Sequence, residues 1–317
     1  MSINLKFLSR RFLAGVLKAN YALGNYRNVV WIIGDGRSGT TWVSRLINYR
    51  RRYREMFEPF HPEQVQRAGF LRPFEYVRPG YRFPQLEEFM DDIVSGKFSE
   101  DRVNRFNRSF FYNGILIKDI YANLLCFWAC QRHPSIKPVL LLRNPFAVAL
   151  SKAKKQDWLW VQDPMDLWDQ EFLRQDYLLE HEDLIREISV CGDYIQKQLL
   201  IWSIINYVPL KQFKQGAVKV IHYEDVYTHP NREVSEVLRF INDNSKLTSV
   251  NLPARLINVP TRVAGKESTL NTNRSPISSW QDEVTTLQID RGFQILSHFG
   301  LDTLYGDDGM PSLNNGV

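Results

Sequence analysis

Residues 34–41 combine glycines, hydroxyls and one cation at a spacing typical of an anion-binding loop. The segment reads Gly34-Asp-Gly-Arg-Ser-Gly-Thr-Thr41 and follows a short β-branched run. Glycines let the backbone approach an anion and present N–H groups to it, and the following helix adds its positive N-terminal end. Arg37 adds a fixed planar cation, and Ser38, Thr40 and Thr41 add hydroxyl donors. The pattern predicts a phosphate or sulfate site; the alternative is a plain glycine-rich turn.

This loop lacks the lysine of a nucleoside triphosphatase. In those enzymes the lysine neutralises the terminal phosphates, and a nearby strand ends in an aspartate that helps to hold Mg²⁺. Here Thr40 stands at the lysine position, and the apolar run 137–142 ends in Arg143. Because an arginine repels a metal ion and attracts an anion, the sequence indicates two separate anion sites and no metal site.

The residues after Arg143 have the pattern of a capped helix. Asn144 suits the N-cap position and Pro145 suits the first helical position. Ser151 lies two turns further along, where it can face the same anion as Arg143. The alternative is an ordinary capped helix with an incidental serine.

The elements that must position these residues alternate between strand and helix. Four apolar runs have the composition of buried strands, and each precedes a helical pattern: 29–34, 114–119, 137–145 and 217–226. This alternation predicts an α/β fold with a central parallel sheet wrapped by helices. Residues 160–215 have a helical pattern.

The chain has the size and composition of one folded domain. It has 317 residues, 44% of them hydrophobic, and a net charge of +5. We expect a single domain over 1–301, with an N-terminal helix at 1–24 and an insertion at about 60–112 that forms a lid or acceptor loop. The tail 302–317 is predicted to be disordered. The basic run 50–54 is interpreted as a solvated turn.

Cysteine usage and hydropathy favour a reducing, soluble compartment, and we expect a cytoplasmic protein. The three cysteines are too few for a disulfide framework, and Cys126 and Cys130 suit the core of one helix. No apolar run is long enough for a transmembrane helix. The N-terminal helix is expected to lie on the domain or on a membrane surface. Nucleic-acid binding is not indicated, since the aromatic residues cluster in apolar runs.

Together, the two anion segments resemble the cofactor motifs of sulfotransferases that use 3′-phosphoadenosine 5′-phosphosulfate (PAPS). The resemblance rests on "GRSGTTW" at 36–42 and "LLLRNPFAVALS" at 140–151. It covers roughly 29–60, 114–152 and 217–227, with a weaker match at 262–285. It implies a P-loop-like, three-layer α/β/α fold and a cofactor with two separated anionic groups.

The resemblance also implies roles for individual residues. Arg37 would bridge the phosphosulfate and stabilise the leaving group. The 5′-phosphate would be bound by Ser38, Gly39, Thr40 and Thr41, and the 3′-phosphate by Arg143 and Ser151. Trp42 and Tyr223 match positions near the adenine, with core packing as the alternative for Trp42. Weaker candidates in a cofactor-covering loop are Arg274, Ser278 and Trp280.

The acceptor must lose a proton, so a base is needed. Lys118 matches a catalytic lysine of cytosolic family members, the alternative being a surface lysine at a strand end. Those members use a histidine two residues later, where this chain has Ile120. The segment "EMFEPFHPE" at 55–63 instead resembles carbohydrate-directed and bacterial members, in which a glutamate can serve as base. Glu58 is the first candidate and His61 the second.

The sequence therefore predicts an enzyme that moves a sulfuryl group from PAPS to a hydroxyl or amine, of a carbohydrate or glycoconjugate. No metal cofactor is expected. The alternatives are a non-catalytic nucleotide-binding protein of the same fold and a P-loop nucleotide kinase. The acceptor surface is expected within 60–112 and 155–180, where Trp158, Trp160 and Trp168 either stack on a sugar or pack in the core.

Overall fold

The computed structural model describes residues 5–155, 161–243, 249–257, 275–306 and 308–312, without the side chains of residues 5–11. Trp158, Trp160 and Arg274, singled out above, lie outside the described residues. Within the described residues no helix is both long and apolar enough to span a bilayer.

Five parallel strands form the central sheet. They are β1 (Asn28–Gly34), β2 (Tyr53–Phe57), β3 (Gly114–Lys118), β4 (Ile136–Leu142) and β5 (Lys219–His222), in the spatial order β2-β3-β1-β4-β5. Strand β1 pairs with β3 on one side and with β4 on the other. The strands are apolar on both faces because helices cover both sides of a parallel sheet.

The helices flank the sheet. They are α1 (Leu5–Ala22), α2 (Thr40–Ile47), α3 (Pro84–Ser95), α4 (Cys126–Arg132), α5 (Pro145–Ala153), α6 (Met165–Trp168), α7 (Glu171–Leu173), α8 (Glu182–Cys191), α9 (Tyr194–Gln212), α10 (Tyr223–Thr228), α11 (Pro230–Ile241), α12 (Ala254–Ile257) and α13 (Thr286–His298). The helical pattern predicted for 160–215 is thus confirmed by α6 to α9. A π turn, Arg174–Leu178, and a 3₁₀ turn, Leu179–His181, link α7 to α8.

Alternate residues of β1 enter two separate cores. Trp31 and Ile33 belong to the core that includes residues of α5, α9 and α13, whereas Val30 and Ile32 belong to the core that includes residues of α2 and α11. This alternation is the expected result of the two-residue period of a strand. The predicted three-layer α/β/α fold with a central parallel sheet is confirmed.

The interpretation of residues 50–54 as a solvated turn is wrong at its C-terminal end. Tyr53 and Arg54 begin β2, and Arg54 is fully buried. Its guanidinium donates to the carbonyl oxygens of Gly96 and Phe98 and to the side-chain oxygen of Asn104. The strand was missed because a buried arginine is rare and needs several acceptors that come from distant segments.

Much of the segment 60–112 packs in the core. Phe60 stacks on Trp31 with ring centroids 5.1 Å apart, and Phe89 of α3 is fully buried. A role of this segment as a lid or acceptor surface remains a prediction.

Part of the predicted disordered tail has a defined place in the structure. Leu304 and Tyr305 are buried, and Tyr305 pairs with Pro311 in an isolated antiparallel bridge. The tail was predicted to be disordered, but these two side chains belong to the hydrophobic core.

Candidate active site

The loop predicted to bind an anion joins the carboxyl end of β1 to the amino end of α2. Gly39 has a positive φ of 89° and directly precedes α2. A Cβ at Gly39 would lie 2.6 Å from the ring of Tyr223, and a Cβ at Gly34 would lie 2.7 Å from the carbonyl oxygen of Leu141. Both positions require glycine, because the surrounding atoms leave no room for a side chain.

Arg37 joins the two anion segments. Its backbone is in the left-handed region, with φ of 71°. Its Nε donates to Ser151 Oγ at 2.9 Å, and its carbonyl oxygen accepts from Nη1 of Arg143 at 2.7 Å. Segments that are more than a hundred residues apart in the chain therefore form one site.

The loop also carries donors that the fold does not use. Ser38 is fully buried, and its Oγ has no hydrogen-bond partner among the described residues. Thr40 is buried and Thr41 half-buried at the start of α2, where the first backbone N–H groups of a helix lack partners within the helix. A buried hydroxyl without a partner is uncommon, so this arrangement fits an anionic ligand.

A buried ion pair fixes the loop to α5. Nζ of Lys152 lies 2.7 Å from Oδ2 of Asp35, and the two side chains are 2% and 1% exposed. Burial raises the pKa of Asp35 and lowers the pKa of Lys152, and the attraction between the charges opposes both shifts. This pair was not predicted, although the loop contains an acid, Asp35, and a lysine, Lys152, directly follows Ser151.

Arg143 directly follows β4, as predicted. Its Nη2 donates to the carbonyl oxygen of Pro276 at 2.9 Å, and its guanidinium carbon lies 4.4 Å from the centre of the Tyr223 ring. Its Nε is buried and has no hydrogen-bond partner in the part of the chain that the structure describes. This donor suits a second anionic group.

The predicted cap of α5 is confirmed. The side chain of Asn144 accepts from backbone N–H groups of the first turn, and Pro145 is the first helical residue. Ser151, two turns along, contacts Arg37 of the loop. It was predicted to face the same anion as Arg143, and a role in binding that anion remains a prediction.

Trp42 and Tyr223 lie together in the core. Trp42 is 4% exposed and Tyr223 5%, with ring centroids 5.6 Å apart. Nε1 of Trp42 donates to the carbonyl oxygen of Leu256 at 3.3 Å. Burial raises the pKa of Tyr223. Trp42 thus packs in the core, which was the alternative considered for it. Contact of either ring with an adenine remains a prediction.

Glu58 directly follows β2 and forms a buried carboxylate between two cations. Its Oε1 lies 2.6 Å from Nζ of Lys118 and its Oε2 lies 2.7 Å from Nη2 of Arg102. Burial alone would raise the pKa of Glu58, but the charges and hydrogen bonds of Lys118 and Arg102 outweigh burial and lower it. The carboxylate is therefore ionised at neutral pH. Lys118, at the end of β3, is buried and is not a surface residue.

His61 is buried beside Tyr121, with ring centroids 4.8 Å apart. Its Nδ1 accepts from the backbone N–H of Glu63 at 3.3 Å. Burial, and then the positive charge of Arg102, lower the pKa of His61 to about 4. The ring is thus neutral at pH 7, and because Nδ1 acts as an acceptor its proton is assigned to Nε2.

Asp119 organises the segment that carries Glu58. Its carboxylate accepts from the backbone N–H of Phe60 at 3.0 Å and from that of Tyr121 at 2.8 Å. Its own N–H donates to the carbonyl oxygen of Ile32 at 3.0 Å. Burial raises the pKa of Asp119 to about 6. Asp119 and Arg102 were not predicted: Asp119 could have been found as an acid directly after Lys118, whereas Arg102 is far from Glu58 in the sequence and gave no local signal.

The predicted covering loop is described in part. Trp280 is buried and stacks on Phe146 with ring centroids 5.0 Å apart, which is a packing role. Ser278 is half-buried nearby. The carbonyl oxygen of Pro276, which accepts from Arg143, brings this segment to the site. Among the described residues no group of three or more His, Cys, Asp or Glu side chains could hold a metal ion.

The anion-binding loop, Glu58, Lys118 and Arg143 lie at or directly after the carboxyl ends of β1, β2, β3 and β4, where parallel α/β sheets bind ligands. The fold and the anion-binding loop define an α/β protein of the P-loop-like class. A family model described as "Sulfotransferase domain" matches residues 27–291. The chain belongs to the sulfotransferase family, as the sequence analysis inferred, and is a transferase.

Three solved structures resemble the chain at low identity. The crystal structure of a sulfotransferase from Alicyclobacillus acidocaldarius is 15% identical, with a TM-score of 0.39; the match covers 73% of this chain and 88% of that chain. The sulfotransferase domain from the curacin biosynthetic pathway is 14% identical, with a TM-score of 0.44 and coverage of 85% and 96%. That from the Synechococcus PCC 7002 olefin synthase is also 14% identical, with a TM-score of 0.44 and coverage of 86% and 95%. No curated protein matches the chain.

Proposed function

We propose that this sulfotransferase uses PAPS as its sulfuryl donor and sulfates a hydroxyl or amine of a carbohydrate or glycoconjugate. The observation that carries the proposal is the joining of two anion-binding segments through Arg37, with a buried ionised carboxylate, Glu58, at the same edge of the sheet. We further propose that the enzyme acts in the cytoplasm.

The residues at the site fit a donor with two separated anionic groups. The loop offers to the 5′-phosphosulfate the amino end of α2 and the hydroxyl of Ser38, which has no hydrogen-bond partner among the described residues. Arg143 offers to the 3′-phosphate its Nε, to which no residue in the described ranges is hydrogen-bonded. When bound, PAPS supplies the sulfuryl group and a phosphate leaving group.

Arg37 and Lys118 supply the positive charge in this proposal. Transfer of a sulfuryl group has a loose transition state, by analogy with phosphoryl transfer, so positioning and cationic stabilisation dominate. Arg37 remains protonated throughout and cannot donate a proton. Its hydrogen bond to Ser151 orients it within the loop.

Glu58 is our proposed base. The carboxylate is ionised, and its contacts with Lys118 and Arg102 fix its orientation. His61, the second candidate, is less suited because its Nδ1 already accepts a hydrogen bond and its Nε2 carries the ring proton, so neither nitrogen is available to take a proton. A carboxylate base supports the comparison with carbohydrate-directed members. Trp168 is 4% exposed, so it packs and does not offer a face to a sugar.

Calorimetric titration with 3′-phosphoadenosine 5′-phosphate tests the donor. We expect this bisphosphate to bind more tightly than AMP or ATP-Mg²⁺. Arg143→Ala should weaken binding about 10- to 100-fold, because a hydrogen bond to a charged group contributes about 1.5–3 kcal/mol.

Arg186→Ala is the matched control, since the exposed side chain of Arg186 pairs with Glu182 on α8 and lies over the Trp168 ring, and it takes no part in the proposed donor site. It should leave the affinity unchanged. Equal affinity for AMP and the bisphosphate, or a preference for ATP-Mg²⁺, would contradict the proposed donor and favour a nucleotide kinase.

A further inference from the structure

The amino edge of the sheet, opposite the candidate active site, carries a second surface. Residues 23–27 precede β1, residues 50–52 precede β2 and residues 109–113 precede β3. These segments are adjacent because β2, β3 and β1 are neighbours in the sheet. The backbone N–H of Asn113 donates to the carbonyl oxygen of Arg52 at 2.7 Å, which fixes one segment to the next.

Helix α1 is held against this edge. The side chain of Asn20 donates to the carbonyl oxygen of Phe110 at 2.8 Å and accepts from the N–H of Tyr112 at 3.0 Å. Asn20 is 2% exposed, as is Leu17, whose carbonyl oxygen accepts from the hydroxyl of Tyr26. The fold therefore fixes the position of the residues on the outer side of α1.

Three phenylalanines are exposed on this surface. Phe12 is 62% exposed, Phe110 61% and Phe111 75%. The rings of Phe12 and Phe110 meet edge to face with centroids 5.9 Å apart. Single exposed apolar side chains are normal, but a group of large ones marks an interaction surface. All three rings remain more than half exposed among the described residues.

The same region is strongly basic. The segments at this edge carry exposed arginines: Arg27 precedes β1, Arg51 and Arg52 precede β2, and Arg108 adjoins the segment that precedes β3. We call the surface the basic aromatic face; it consists of Phe12, Arg51, Arg52, Arg108, Phe110 and Phe111.

We propose that the basic aromatic face binds the surface of a bilayer that contains anionic lipid. Arginines attract anionic headgroups, and exposed aromatic rings enter the boundary between headgroups and acyl chains. Charge complementarity and the apolar character of phenylalanine both favour lipid over a purely ionic partner. Because the active site lies at the opposite edge of the sheet, it stays open to solution while the face is bound.

Sedimentation with vesicles tests this proposal on the purified protein. We expect binding to vesicles of phosphatidylcholine mixed with phosphatidylserine, and little binding to phosphatidylcholine alone. Arg52→Glu combined with Arg108→Glu should lower binding at least about fivefold for each arginine removed. Phe110→Ser combined with Phe111→Ser should also reduce it severalfold.

A matched control replaces exposed apolar residues elsewhere. Val190 and Leu287 are 82% and 76% exposed, and Val190→Ser with Leu287→Ser should bind vesicles like the wild type. The midpoint of thermal unfolding shows whether each variant is folded, independently of any sulfuryl donor. Equal binding to both kinds of vesicle, no binding to either, or unchanged binding of the phenylalanine variant would overturn the proposal. So would binding of duplex DNA in preference to the anionic vesicles.

Discussion

Removing one member of the buried Asp35–Lys152 pair should destabilise the protein more than removing both. The two charges are 2.7 Å apart, and neither side chain is more than 2% exposed. Asp35→Asn leaves a buried ammonium group without this counter-ion, and Lys152→Met leaves a buried carboxylate. The double variant leaves neither charge in the interior.

The expected magnitudes follow from this burial. Each single substitution should lower the free energy of unfolding by about 3–5 kcal/mol, whereas the double variant should lie within about 2 kcal/mol of the wild type. The interaction energy from the double-mutant cycle should therefore exceed the cost of the double substitution.

Urea denaturation followed by tryptophan fluorescence measures these energies. The control cycle uses Glu182→Gln and Arg186→Met, an ion pair whose side chains are 42% and 54% exposed. Its interaction energy should be about 0.5 kcal/mol or less. If the costs of Asp35→Asn and Lys152→Met simply add, the pair does not act as one buried unit and our reasoning fails.

Three further outcomes are expected. Glu58→Gln should lower the rate of sulfuryl transfer about 10²- to 10⁴-fold in a product-release assay, because the amide cannot take a proton. An equal loss of rate in Glu63→Gln would contradict this role for Glu58. Burial raises the pKa of Glu224 to about 7, so its contribution to stability is fully present below its usual pKa of 4.5 and is lost as pH rises through 7. Glu224→Gln should therefore stabilise the fold by up to about 3 kcal/mol at about pH 8 and little at about pH 4 in denaturant titrations. Equal effects at the two pH values would show that the pKa of Glu224 is not raised. Arg54→Met should cost about 3 kcal/mol or more in the same titrations, since it leaves three buried oxygens without donors; a cost below about 1 kcal/mol would show that water replaces them.

The sequence predicted the parts of the site that depend on local pattern. The loop after β1 and the cap at Asn144 are short motifs whose residues act within one turn of chain. Their chemistry follows from the backbone geometry that glycine, asparagine and proline favour. The central parallel sheet likewise followed from the alternation of apolar runs and helical patterns.

The contacts between distant segments could not be predicted in this way. Ser151 meets Arg37 and Lys152 meets Asp35 only because β1 and β4 are neighbours. Arginine is typical of protein surfaces. The burial of Arg54 depends on the carbonyl oxygens of residues that follow some forty positions later in the chain. Such partners depend on tertiary structure, which the local pattern does not encode.

The central position of β1 also shapes how the protein folds. Asn28 pairs with Gly114 and Val29 with Ile136, so the first strand to be synthesised must wait for partners far along the chain. Contacts of such high sequence separation slow folding, because a long loop must close before they form. Until then the run Val29–Ile33, almost entirely buried in the native state, is an exposed apolar edge. We therefore expect nascent or truncated chains that end before β4 to aggregate, and to need a chaperone that shields this strand.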